Sequence, residues 1–185
     1  MKVLAISGSL RRDSYNTKLL RTAEELLPPD VELELYEGLR EVPPYDEDDD
    51  GHPGPAPVAA LRRAVADAGA VLISTPEYNA SIPGQLKNAL DWVSRPIASN
   101  TLRNKPVAVV GASTGAFGAV WSQAELRKVL ATIGARVVEG DVAVGHAPTR
   151  FDDDGYLVDI DLREQLAEVV DALLVEAGAP SLAAA

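Results

Sequence analysis

Hydrophobic positions along this chain follow two rhythms. Residues 2–6, 70–74 and 107–111 are almost wholly apolar, whereas between them Leu, Val and Ala recur every third or fourth position. An unbroken apolar run of that length reads as a central parallel strand covered on both faces, and the spaced pattern reads as an amphipathic helix. Residues 14–27 carry the spaced pattern in Leu19, Leu20, Ala23, Leu26 and Leu27, and the helix they predict stops at Pro28-Pro29. Residues 31–36 alternate apolar and acidic, as expected of a strand nearer a sheet edge. The same spacing predicts helices over 57–68, 84–93, 121–133 and 162–176, with a strand region at 136–144. Strands and helices alternating in this way imply right-handed crossovers and a parallel sheet. Residues 37–57 read as an irregular loop rich in Pro and acid.

At 185 residues the chain suits one domain, taken as 1–178, with a tail at 179–185 expected to fray. The apolar start is too short for a secretory signal, and no apolar run reaches membrane-spanning length. A cytoplasmic protein without membrane insertion is expected. The chain has no cysteine, which removes disulfides, thiol redox chemistry and thiolate metal sites together. Any redox work must therefore rest on a bound cofactor. A formal net charge of −11 argues against a nucleic-acid partner. Asp46, Asp48, Asp50 and Gly51 imitate the opening of a calcium loop, but Pro57 stands where the closing Glu would be. A solvated acidic loop and no metal are expected there. His52 and His146 have no second ligand at metal spacing and receive no role.

An acidic protein that binds phosphate must gather positive charge locally, and one stretch does so. Between the first strand and the first helix stands Ser7-Gly8-Ser9-Leu10-Arg11-Arg12-Asp13-Ser14-Tyr15-Asn16-Thr17. A helix start offers backbone N–H groups without intrahelical partners and a partial positive charge. Ser9, Ser14, Asn16 and Thr17 add short donors, and Arg11 and Arg12 add forked charge suited to phosphate. The bland reading of the same residues is a capped helix with solvated arginines. Neither the Walker loop ending nor the three-glycine dinucleotide fingerprint is present, so a single terminal phosphate fits better than a pyrophosphate.

Two more loops, at residues 75–83 and 112–118, would stand beside this one at the carboxyl ends of parallel strands, where open α/β sheets bind ligands. Pro76-Glu77-Tyr78-Asn79 offers an aromatic face and free backbone groups, and Ser113-Thr114-Gly115 offers hydroxyls and close backbone approach. One phosphate plus a flat, polar-edged ring describes FMN.

These residues, with Ser81, Pro83-Gly84, Leu86-Lys87-Asn88-Ala89, Asp91-Trp92, the Gly111-Ala112-Ser113 turn and Pro44-Tyr45, closely resemble the NADPH-dependent FMN reductase family. The likeness runs from residue 2 to about residue 173 and is poor over 136–155. It implies a flavodoxin-like three-layer sandwich, with a five-stranded parallel sheet of order 2-1-3-4-5 and helices on both faces. It implies FMN phosphate on Ser9, Arg11, Ser14, Asn16 and Thr17, and the flavin ring against Pro76, Glu77, Tyr78 and Asn79, with Ser113 near its far edge. NADPH (or NADH) would be the donor, and a flavin, quinone or similar small molecule the acceptor. Arg12 is left as a supporting charge. Because the flavin carries the reaction, no general acid or base is named; Glu77 and Tyr78 are expected to shape the ring's rim. Trp92 and Trp121 fall off the apolar stripes of their helices, which with the family likeness suggests a homodimer or homotetramer. A flavodoxin-type electron carrier and a non-redox binder of sugar phosphates stay open as alternatives.

Overall fold

The strands at the centre of the sheet are those apolar on both faces. In the computed structural model, which describes residues 1–51, 54–179 and 181–182, β1 (Lys2–Ser7), β3 (Ala70–Thr75) and β4 (Pro106–Ala112) run parallel and adjacent. Their side chains alternate between two cores: Leu4, Ile6, Val71, Ile73, Val107 and Val109 enter one, and Val3, Ala5, Leu72, Ala108 and Val110 the other. β2 (Glu32–Leu35) pairs with the outer side of β1 and stays partly solvated, as its acidic alternation predicts. Helices α2 (Ala56–Asp67), α3 (Gly84–Val93) and α4 (Val120–Ile133) pack into the first core; α1 (Tyr15–Glu25) and α5 (Ile160–Glu176) pack into the second. The main path of the sheet is β2-β1-β3-β4-β5, the expected flavodoxin-like order.

The last strand departs from expectation. The pattern over residues 136–144 predicts one strand, but they pair with β4 only at their two ends, as β5 (Arg136–Val137) and β6 (Ala143–Val144). Between them the chain bows away through Gly140, at φ +123. Arg127 fills the gap: its guanidinium donates to the Val109 carbonyl (3.0 Å) and the Gly140 carbonyl, and pairs with Asp141 (3.0 Å). A buried carbonyl left by the missing strand is thus satisfied by a side chain. A β-strand pattern in the sequence carries no trace of that substitution.

Trp92 corrects a second expectation. It faces inward, fully buried, with its indole N–H donating to the Pro43 carbonyl at 2.8 Å. Asn88 donates to the same carbonyl (2.8 Å) and accepts from the Tyr45 N–H (2.7 Å), while Gln85 donates to the Leu39 and Val42 carbonyls (both 2.8 Å). One polar face of α3 therefore clamps residues 39–45, and this is why Trp92 sits off the apolar stripe without facing solvent. Arg62 closes the cluster, bonding the Trp92 carbonyl (2.9 Å) and pairing with Asp50 (2.6 Å). Asp50 is accordingly withdrawn from the solvated acidic loop, which Asp46–Asp49 do form.

The tail expected to fray at 179–185 lies partly outside the described residues, as does His52. Ala179 and Leu182 pack against the core under α5, and Asp171 accepts from the Leu182 N–H and the Ser181 hydroxyl. Among the described residues, no helix is long and apolar enough to cross a membrane.

Candidate functional site

The loops after β1, β3 and β4 meet at the carboxyl edge of the sheet around one cleft. It is lined by Ser9, Arg11, Ser14 and Asn16 from the first loop, Pro76, Glu77 and Tyr78 from the second, and Ser113 and Thr114 from the third. Thr17 and Asn79, also singled out in the sequence, do not line it.

In the first loop the structure separates residues that hold the loop from groups left free. Ser14 is buried and caps α1, its Oγ accepting from the N–H groups of Asn16 (3.2 Å) and Thr17 (3.5 Å). Asn16 is a rivet rather than a free donor. Its Oδ1 accepts from the Ala112 N–H (3.0 Å) and the Ser74 hydroxyl (2.8 Å), and its Nδ2 donates to the Ala112 carbonyl (3.0 Å). One buried amide thereby joins the first loop to the ends of β3 and β4. The Thr17 hydroxyl donates to Ser7 Oγ (3.0 Å) and faces a neighbouring cleft instead. Gly8 allows close approach: a Cβ there would lie 2.9 Å from Leu86 Cδ2. Among the described residues, the N–H groups of Ser9, Leu10 and Tyr15 donate to no protein acceptor, and Arg11 is exposed without a carboxylate partner. Asp13, the acid nearest them in the chain, is hydrogen-bonded to Lys18 (2.7 Å). That bond, then the Lys18 and Arg11 charges, hold its carboxyl below the ordinary value.

The second loop is a rigid bracket. Tyr78 and Ser81 exchange backbone hydrogen bonds (3.1 Å each) across Asn79 and Ala80, both left-handed at φ 54 and 58. That is the geometry of a two-residue type I′ turn, and it carries Asn79 to the tip and leaves Tyr78 half exposed. One oxygen of the Glu77 carboxylate, Oε2, accepts from the N–H groups of both Trp121 (3.1 Å) and Ser122 (3.2 Å). α4 has no side-chain cap of its own, since Ala119 precedes it, and Glu77 supplies one from a distant loop while placing negative charge at the positive end of the helix. The Ser122 hydroxyl donates to the Pro76 carbonyl at 2.9 Å, so the bracket and the start of α4 form one unit.

The third loop owes its glycines partly to the chain itself. At Gly118 (φ +56) a Cβ would fall 2.3 Å from the Ala143 carbonyl carbon, which only glycine avoids. The close approach expected of this turn is, at that position, an approach to β6. At Gly115 a Cβ would meet only Ser113 Oγ, at an ordinary 3.7 Å, so this position does not demand glycine for space. Ser113 donates its N–H to the Val144 carbonyl (3.0 Å) and its hydroxyl to the Gly115 carbonyl (3.3 Å).

Two contributors carry no signal in the sequence. Tyr15 lines the cleft, supported by Phe151 with ring centroids 5.5 Å apart, a residue from the region of poor family likeness. Arg40, thirty residues from Leu10, donates to that residue's carbonyl and so braces the first loop from the side.

Both the fold and the three-loop cleft have relatives among known proteins. Residues 1–149 match the family described as NADPH-dependent FMN reductase. The chain is 40% identical over 174 residues to an NAD(P)H-dependent FMN reductase of Pseudomonas aeruginosa, covering 94% of this chain and 93% of that one. It is 37% identical over 172 residues to a 2-hydroxy-1,4-benzoquinone reductase of a Burkholderia species, covering 92% and 93%. Among solved structures it resembles FerB, a flavoenzyme NAD(P)H:(acceptor) oxidoreductase from Paracoccus denitrificans, with a TM-score of 0.82 at 32% identity over 95% of this chain and 98% of that one. A family match over most of its length, with relatives at these identities, carries the conclusion beyond the fold alone: the chain belongs to the NADPH-dependent FMN reductase family.

Proposed function

We propose that this chain is an FMN-dependent NAD(P)H oxidoreductase acting on quinones, flavins or similar small acceptors, with FMN held across the three loops. The observation that carries the cofactor's placement is the first loop, where free N–H groups and the unpaired Arg11 stand together on a protein of net charge −11. Such a group of donors fits a terminal phosphate, with Arg11 supplying charge and Ser9 and the Ser14 cap lining its seat. Asn16 and Thr17 act one step back, by fixing the loop's shape. Pro76, Glu77 and Tyr78 present the second loop to the ring, Asn79 makes the turn that aims Tyr78, and Ser113 stands on the opposite rim. Bound FMN supplies the redox chemistry, in which the hydride of NAD(P)H and one solvent proton convert a quinone to its hydroquinone. The protein's part is to orient. No side chain is assigned proton transfer, because the flavin carries the reaction; Glu77 Oε2 caps α4.

The purified chain loaded with FMN should oxidise NADPH continuously with p-benzoquinone as acceptor, at about 1–1000 turnovers per second. A single stoichiometric reduction with no sustained turnover would instead make it an electron carrier of the flavodoxin type. The assembly is a homodimer or homotetramer in this reading. Its support is the pair Phe117 and Trp121, which stack edge-to-face (4.9 Å between centroids) yet are 62% and 49% exposed. Trp121→Ala should shift sedimentation toward monomer, and a native chain that is already monomeric at micromolar concentration would remove the idea.

A further inference from the structure

On the other side of the first loop, toward β2, lies a second cleft that the flavin site does not use. Arg11, Arg12 and Arg40 line it together with Tyr36, Thr17 and Glu37. Among the described residues none of the three arginines forms an ion pair, although carboxylates outnumber cations on this chain and eight other Lys and Arg side chains do pair with them. Arg40 is not loose, because its guanidinium is tied to the Leu10 carbonyl. Tyr36 presents a partly buried ring, and burial, with Glu41 adding, raises its hydroxyl above the ordinary range so that it stays protonated. Glu37 is the one carboxylate on the lining.

Three exposed guanidinium groups without carboxylate partners, facing one space, raise the local positive potential and draw an anion there. The first cleft accounts for the FMN phosphate, and the two clefts share Ser9 and Arg11. A second phosphate bound here would therefore stand within one loop's breadth of the first. With Arg11 taken by the FMN phosphate, Arg12 and Arg40 remain, and two forked guanidinium groups suit a phosphomonoester dianion with several free oxygens better than the singly charged links of a pyrophosphate. The Tyr36 ring beside them offers a face for a purine. We propose that this cleft binds the adenosine 2′-phosphate end of NADPH, with Arg12 and Arg40 as the residues that set preference for NADPH over NADH. The proposal rests on the oxidoreductase reading, since it assigns the donor for that reaction.

Binding can be read without turnover. Adenosine 2′,5′-bisphosphate, titrated into the FMN-loaded protein by calorimetry, should bind at least about tenfold tighter than ADP, and inorganic phosphate should compete only weakly. Arg12→Ala should weaken that probe and raise the KM for NADPH by about tenfold, leaving the KM for NADH and the bound flavin unchanged. Arg40→Lys, which keeps a charged donor for the Leu10 carbonyl but not the fork, should weaken the probe by a smaller factor. Equal binding of the bisphosphate and ADP would overturn the proposal, as would variants that change NADPH and NADH alike. Failure of the oxidoreductase reading would look different: no turnover with either nucleotide, whatever the probe does.

Discussion

Trp92→Ala is expected to destabilise the fold by about 3–5 kcal/mol, read as a fall in the denaturation midpoint with little change in sedimentation. The side chain is fully buried and engages three separate partners at once. Its ring packs edge-on against Tyr45 at 4.9 Å and lies beneath the Arg62 guanidinium at 5.8 Å, and its N–H holds the Pro43 carbonyl. Removing it leaves a cavity and strips one of two donors from the half-buried Pro43 carbonyl, which Asn88 still serves; the cavity is the larger effect. Arg62 would lose its aromatic cover while keeping Asp50 and the residue 92 carbonyl. The segment 39–45, which includes the brace at Arg40, should loosen first. A variant that keeps native stability but falls apart as an assembly would restore the interface role that the helical periodicity suggests for Trp92.

Arg11→Ala is the second large effect, and it bears on the cofactor. Removing a charge-assisted contact to a phosphate costs about 1.5–3 kcal/mol, or roughly ten- to hundredfold in FMN affinity. Arg11 is exposed and makes no ion pair among the described residues, so its removal should leave the fold's stability unchanged. Ser14→Ala tests the same loop less cleanly, because losing the cap of α1 also costs about 1 kcal/mol of stability.

What the sequence made legible was periodic or local. Strands apolar on both faces, helix stripes and the β1–α1 loop each declare themselves within a dozen residues, and the parallel order follows from their alternation. The three loops of the candidate cleft were legible for the same reason: each directly follows a strand. What stayed hidden depends on contacts between distant residues. Asn16 reads as a phosphate donor until Ala112, 96 residues away, is seen to take its amide. Glu77 reads as part of the ring's rim, and its second task, capping the start of α4, 44 and 45 residues on, shows only in the structure. Trp92 is off its helix's apolar stripe because it satisfies a carbonyl of the preceding loop, a reason no hydropathy pattern contains. The broken last strand belongs here too, since Arg127 replaces pairing that the pattern of 136–144 promised.

The central claim is that the phosphate of FMN is seated on the loop after β1. It is tested most directly by titrating the flavin-free protein with FMN and with riboflavin, which differ only in that phosphate, for the native chain and for Arg11→Ala. The native chain should prefer FMN by about a hundredfold or more, and the variant should lose roughly ten- to hundredfold of that preference while its affinity for riboflavin holds. Equal affinity for the two flavins in the native chain, or a preference that Arg11→Ala leaves intact, would contradict it.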